Sequence, residues 1–115
     1  MAVTPSTLLT LTSQLMGDAQ ARLRQQAMAS TNLDTINALI AQRDAIDAQQ
    51  RRIMRGNLAT IDSDPKVKGN IAQLTQLAGE LAAGVQEMRN ATSAIKAATK
   101  IISVVEKILP LFGIA

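Results

Sequence analysis

The sequence has 115 residues, of which 47% are hydrophobic and 18% are charged, so it excludes a disordered chain and supplies the apolar side chains for one folded unit. It contains no Cys and no His, which excludes disulfides, thiolate chemistry and imidazole acid–base catalysis and removes the usual ligands of most transition-metal sites. The net charge of +3 is a mild excess, which excludes a histone-like basic tail.

The composition also predicts the class of secondary structure. Phe112 is the only aromatic residue, so packing has to rest on Leu, Ile, Val, Met and Ala side chains. An Ala-rich aliphatic chain favours helices, whereas a sheet would need β-branched and aromatic residues in alternation, and no stretch alternates. We therefore predict an all-α fold that forms a single helical domain over residues 1–115.

The first helix is predicted over residues 5–28. Thr4 can cap its free amide groups, and Pro5 is tolerated at the first helical position. Leu residues then recur at helical spacing, which is typical of a helix with one buried face.

The second helix is predicted over residues 31–61. Thr31 and Asp34 form a pair like a capping box at its start, and the short connection before it predicts that the first two helices are antiparallel neighbours. The end of this helix stays open, because Gly56 and the Asn after it are a stop signal while apolar residues continue the stripe beyond them.

The third helix is predicted over residues 65–109. Asp64 can cap it, Pro65 fits its first position, and Pro110 should end or kink it near its last residue. Together these elements predict a three-helix antiparallel bundle, or an extended helical hairpin with one long C-terminal helix, and we expect it to be oligomeric.

An unbroken seven-residue apolar repeat runs along this third helix and indicates a seam that a partner helix must cover. Small side chains in the middle of the seam predict close packing there. The seam residues are Leu74, Leu77, Leu81, Gly84, Met88, Ala91 and Ala98.

The last part of the chain, residues 95–115, is predicted to protrude as an apolar, cationic segment. At about 1.5 Å per residue the third helix would be much longer than the other two, so its last turns would have no cover within the chain. Lys residues recur beside the apolar ones, as in a helix at a membrane interface or in a bundle. The predicted interface consists of Ile95, Lys96, Lys100, Ile101, Ile102, Val105, Ile108, Leu109, Leu111 and Phe112.

Two other clusters have a functional and a structural interpretation. Arg51, Arg52 and Arg55 could bind phosphates, but cations near a helix C-terminus also stabilise its free carbonyl groups. Asp62 and Asp64 could hold a divalent ion, but turn and cap positions explain them better because further oxygen ligands are missing. We therefore predict no catalytic, cofactor-binding or metal-binding residues.

These observations predict a non-catalytic structural or interaction protein, not an enzyme. It would self-associate or dock on a larger assembly through its long C-terminal helix. The alternative is a membrane-active helical protein, a peripheral anchor or small pore former, that inserts the same segment. We expect no small-molecule substrate, no cofactor and no nucleic acid as a partner. Without a recognisable secretory signal or transmembrane helix, we expect a cytoplasmic location or export by a leaderless route.

Overall fold

The computed structural model of the protein describes residues 3–56 and 59–114. Within these ranges the chain forms five α-helices and one short 3-10 turn, and it forms no strand, so the predicted all-α class is confirmed. The helices are α1 (Pro5–Ala29), α2 (Leu33–Arg55), α3 (Pro65–Gly69), α4 (Ile71–Gln86) and α5 (Ala91–Leu111), and the 3-10 turn is Ile61–Ser63.

Short polar side chains start the first helices close to where the sequence predicts. The Thr4 side chain accepts a hydrogen bond from the Thr7 amide, and Asp64 caps α3. Asn32, and not Thr31, caps α2 by accepting from the Thr35 amide at 3.0 Å. Helix α2 therefore starts two residues later than predicted.

The predicted end of the second helix is wrong, because α2 ends at Arg55 and Gly56 follows as its C-cap. The Gly stop signal thus outweighs the apolar residues that continue the stripe. The predicted range 31–61 also included residues 57 and 58, which lie outside the described residues.

The predicted continuous helix over residues 65–109 is wrong, because the chain forms three helices there and turns between α4 and α5. A capping box starts α5: the Asn90 side chain accepts from the Ser93 amide at 2.9 Å, and Ser93 Oγ accepts from the Asn90 amide at 3.0 Å. Asn and Ser offer the backbone these local bonds in place of helical ones. Apolar residues keep their spacing of seven across this turn, so the sequence pattern does not reveal it.

Helix α5 folds back along α4, so these two helices form an antiparallel hairpin. The Asn70 side-chain amide at the start of α4 donates to the Leu111 carbonyl at the end of α5 at 3.4 Å. Near the turn, Lys100 Nζ lies 3.9 Å from Glu87 Oε1. The predicted protrusion of residues 95–115 is therefore wrong over its described part, because α4 covers what the straight helix would have left bare.

Helices α1 and α2 form a second antiparallel hairpin, in which Gln20 Nε2 donates to Gln50 Oε1 at 2.8 Å. The two hairpins pack side by side, with α1 against α4 and α2 against α5. Four long helices thus surround one core in place of the predicted three, and the described part of the chain measures 49 × 26 × 18 Å.

The 3-10 turn and α3 carry the chain from α2 to α4 past the start of α1. Asp62 in this crossover accepts from the Ser6 amide and from Ser6 Oγ, both at 2.7 Å. These two hydrogen bonds lower the pKa of the Asp62 carboxyl from its ordinary value of 3.8. The carboxylate also lies at the positive end of the α1 dipole, so it ties the crossover to α1.

We expect Asp62 to make the fold sensitive to acid. Because its pKa is lower in the folded state, the stabilisation is complete above 3.8 and is lost as the pH falls through the folded-state pKa. Denaturant unfolding should show Asp62→Asn less stable than the unsubstituted protein at neutral pH, with the difference shrinking between about pH 5 and about pH 3. A difference for Asp62→Asn that stays constant over this pH range would contradict the expectation.

The C-terminus of α5 is closed by a glycine turn and not by Pro110, which lies inside the last turn of the helix. Gly113 has a φ of 77°. The Ile114 amide donates to the Leu109 carbonyl at 2.9 Å, and the Gly113 amide donates to the Pro110 carbonyl at 3.0 Å. This is the Schellman arrangement, in which glycine takes the left-handed position. It turns Ile114 back onto the core, where only 6% of it is exposed.

Helices α4 and α5 pack closely at Gly84. A Cβ atom on Gly84 would lie 2.9 Å from Cγ1 of Ile101, which is fully buried in α5. The two backbones can approach this closely only because residue 84 has no side chain.

Two glycines of α4 should respond in opposite directions to substitution by alanine. Gly84→Ala should lower the free energy of unfolding by about 1 to 2 kcal/mol, because displacing buried Ile101 costs more than the gain in helix propensity. Gly79 is exposed, and no atom lies near the position that a Cβ would take. Gly79→Ala should therefore raise the free energy of unfolding by about 0.5 to 1 kcal/mol. Denaturant titrations of both variants test this, and a stabilising Gly84→Ala would contradict the close contact.

Candidate interaction surface

Most apolar side chains of the predicted C-terminal interface lie inside the molecule. Each has an exposed fraction of 4% or less in the single chain, so none is available to a partner while α5 stays packed. These residues are Ile101, Val105, Ile108, Leu109 and Phe112. Ile95, Ile102 and Leu111 are partly buried against the same core.

One of the two predicted apolar series is displaced by one residue in much of α5. Ala94, Ile101 and Ile108 are fully buried at a spacing of seven, whereas Ile95 and Ile102 are only partly covered. The other predicted series stays buried at Ala98 and Val105, so the buried face of α5 is wider than the predicted seam. The predicted seam is therefore divided between two helices that pack against each other.

The α4 residues of the predicted seam line the core together with the turn after that helix. Leu74, Leu77, Leu81, Gly84 and Met88 are buried, Ala98 in α5 is fully buried, and Ala91 at the start of α5 is partly buried.

The two cations of the predicted interface, Lys96 and Lys100, are exposed on the outer face of α5. Lys107, outside the predicted interface, is exposed as well. Lys100 approaches Glu87 at 3.9 Å, which is an exposed ion pair of small energetic value. The structure therefore separates the cationic half of the predicted interface from its apolar half.

The arginines near the end of α2 are held by acidic side chains. Arg51 pairs with Asp47 at 3.0 Å, and Arg52 pairs with Glu106 of α5 at 2.7 Å. Gln49 Nε2 also donates to Glu106 at 3.2 Å, and this bond together with Arg52 lowers the pKa of the Glu106 carboxyl. The contacts with Glu106 join α2 to α5, and the ion pairs of Arg51 and Arg52 favour the structural interpretation for these two residues of the Arg cluster.

Large apolar side chains are exposed elsewhere. Within the described ranges they are Val3, Leu11, Met28, Leu33, Ile40 and Met54. Met28, Leu33 and Ile40 belong to one end of the α1–α2 hairpin, where residues 30–32 connect the two helices. Met28 and Leu33 are 76% and 69% exposed, which is unusual for side chains of this size.

A groove of about 240 Å³ lies between α1 and α2 at this end. We call it the tip groove and define it by its lining residues, which are Arg24, Ala27, Met28, Ile36, Ile40 and Arg43. Four of the six are apolar, and the two arginines come from opposite helices. Its shape and composition suit a short apolar segment with polar flanks.

Sequence reasoning missed the tip groove because it assigned all apolar residues of the second helix to one buried stripe. Helix α2 carries apolar residues on two faces. Leu39, Ile46 and Ile53 are buried at a spacing of seven, while Leu33, Ile40 and Met54 point outward, with Asp47 at the seventh position after Ile40. The feature of the sequence that could have revealed the groove is the width of the apolar stripe, which is greater than one antiparallel neighbour can cover. A second apolar face on one helix indicates a second contact surface.

In the part of the chain that the structure describes, no three carboxylate side chains lie close enough together to hold a metal ion. None of the helices in those ranges combines the length and the hydropathy needed to cross a membrane. Comparison of the chain with models of protein families, with characterised proteins and with solved structures finds no significant match.

Proposed function

We propose that this chain is a non-catalytic interaction protein that binds another protein segment through the tip groove. The observation that carries the proposal is the exposed apolar surface at one end of the α1–α2 hairpin. Exposed clusters of this kind on a folded chain are typical of contact surfaces, because leaving them in water is unfavourable.

The contact surface proposed here is not the C-terminal segment that the sequence predicts. Docking through Ile101, Val105 or Ile108 would require α5 to leave the core, because these side chains are fully buried. Docking through the tip groove requires no unfolding, because Met28 and Ile40 in its lining are already exposed. The second route costs less conformational free energy.

Site-specific photo-crosslinking in cells that make the protein tests the proposal. A benzoylphenylalanine at Leu33 should give discrete adducts, and the same residue at exposed Gln76 on α4 is the matched control. The Leu33 adducts should disappear when Ile36→Glu places a charge in the groove. Equal patterns at both positions, or no adduct at Leu33, would show that the tip is not a contact surface. An adduct of twice the chain mass would identify a second copy as the partner.

Membrane association is the second candidate, and the cationic outer face of α5 favours it. Exposed Lys96, Lys100 and Lys107 would attract an anionic lipid surface, most strongly at low salt. Co-sedimentation with anionic vesicles tests it. Binding that is lost when the three lysines are changed to Gln supports this candidate, and absence of binding at low ionic strength removes it.

A further inference from the structure

The tip groove has two arginines at its edge, one from each helix of the hairpin. Arg24 lies on α1, one turn before Met28, and no carboxylate of the described residues forms an ion pair with it. Arg43 lines the groove from α2 and pairs with Asp44, its neighbour in sequence, at 3.1 Å. Such an exposed pair is weak and easily exchanged for a better partner.

The acidic groups beside Arg24 are engaged by other arginines. Asp47 pairs with Arg51 at 3.0 Å, and Asp44 pairs with Arg43. All five side chains line one neighbouring groove, so three arginines share two carboxylates there and one positive charge is in excess. A ligand that fills the apolar part of the tip groove would gain from a carboxylate near Arg24.

We infer, on the basis of the function proposed above, that the tip groove binds an amphipathic helix of another protein whose apolar side chains enter the groove and whose carboxylates reach Arg24 and Arg43. A helix laid between two helices is a common mode of peptide recognition. The groove supplies both parts of the contact, since Met28, Ile36 and Ile40 are apolar and the arginines are cationic.

The spacing of the groove residues predicts the spacing in the partner. Arg24 precedes Met28 by four residues, roughly 6 Å along α1, and Arg43 follows Ile36 by seven, roughly 10 Å along α2. The partner helix should therefore carry acidic residues one to two turns away from its apolar anchor.

A second copy of this chain fits the groove less well than an acidic helix does. Two copies joined by this surface would bring the arginines of both chains together, and like charges in an interface are unfavourable.

Fluorescence anisotropy with a synthetic probe tests the inference. The probe is a fluorescein-labelled, capped peptide of roughly 18 residues with Leu on one helical face and Glu beside it. Matched peptides carry Gln or Lys in place of Glu. The unsubstituted protein should bind the Glu peptide at least about tenfold more tightly than either matched peptide.

Charge reversal identifies the binding position. Arg24→Glu should weaken binding of the Glu peptide by about tenfold or more and improve binding of the Lys peptide. Arg22→Glu is the matched control, because it changes net charge equally but lies in a different groove with Asp18 and Met88. It should change the affinity by less than about twofold. Circular dichroism of each variant verifies that the helices remain folded.

The outcomes of these experiments test the acidic-helix inference and the proposed function separately. Equal affinity for the three peptides, or equal effects of Arg24→Glu and Arg22→Glu, overturns the acidic-helix inference, while tip-specific photo-crosslinks would still support the function. Crosslinks to a second copy also overturn the inference alone. Binding to anionic vesicles that is lost in Leu33→Ser overturns both, because the tip would then contact lipid.

Discussion

Removal of residues 96–115 should abolish cooperative unfolding, because the segment supplies most of one of the four long helices of the core. It removes nine buried apolar side chains, including Ile101, Ile108 and Leu109. Burial of one large aliphatic side chain contributes about 1.5 to 3 kcal/mol, so the loss exceeds the roughly 5 to 15 kcal/mol that stabilises a typical domain.

Thermal unfolding followed by circular dichroism measures this effect. The truncated chain should show no sigmoidal transition and a large loss of helical signal at 25 °C. The control is the full chain with Lys96, Lys100 and Lys107 changed to Gln, which alters the charge of the segment and leaves the core intact. It should unfold cooperatively. A truncated chain that unfolds with the same transition as the full chain would mean that the segment does not contribute to the folded core.

The second large effect distinguishes two neighbouring isoleucines. Ile101 is fully buried against Gly84, whereas Ile102 is only partly covered. Ile101→Ala should lower the free energy of unfolding by about 2 to 5 kcal/mol, because it removes three buried carbon atoms and leaves a cavity. Ile102→Ala should cost about 1 kcal/mol or less, because less apolar surface is lost.

The pair is well matched because residue type, helix and sequence position are nearly the same. Denaturant titration of both variants gives the two differences in stability. A straight helix with the unbroken repeat would make Ile102 a seam residue and predict the opposite order. A larger loss for Ile102→Ala would therefore contradict the one-residue displacement in α5.

The helical class and the starts of α1 and α3 were predictable from the sequence because their causes are local. Composition favours helices throughout, and the caps at Thr4 and Asp64 involve residues within a few positions of each other. The glycine turn after α5 was also readable, because Gly113 between two apolar residues is a typical C-terminal signal. It was missed because Pro110 was taken as the end of the helix.

The turn between α4 and α5 was harder to predict because two local signals disagree. The apolar repeat continues through Met88, while Asn90 and Ser93 favour a new start. Which signal dominates depends on what packs against the chain on either side. Here α5 gains close packing at Gly84 by turning back, and this contact is absent from any local pattern.

The tip groove could be identified only once the turn between α4 and α5 was known, because the sequence alone directs attention to the C-terminal segment. Once residues 91–111 are inside the core, the apolar surface left for a partner within the described ranges lies mainly at the α1–α2 hairpin. The outward series Leu33 and Ile40 then becomes the best candidate for contact. Its identification required knowing which of two neighbouring series α2 buries.

The distance between α4 and α5 tests the fold-back most directly. The chain has no Cys, so Gln73→Cys and Lys107→Cys, both at exposed positions, allow two spin labels to be attached for double electron–electron resonance. Antiparallel neighbours with axes about 8 to 10 Å apart predict a label distance below about 30 Å. A continuous helix would separate these positions by about 50 Å, and a distribution centred there would contradict the structure and the interaction surface derived from it.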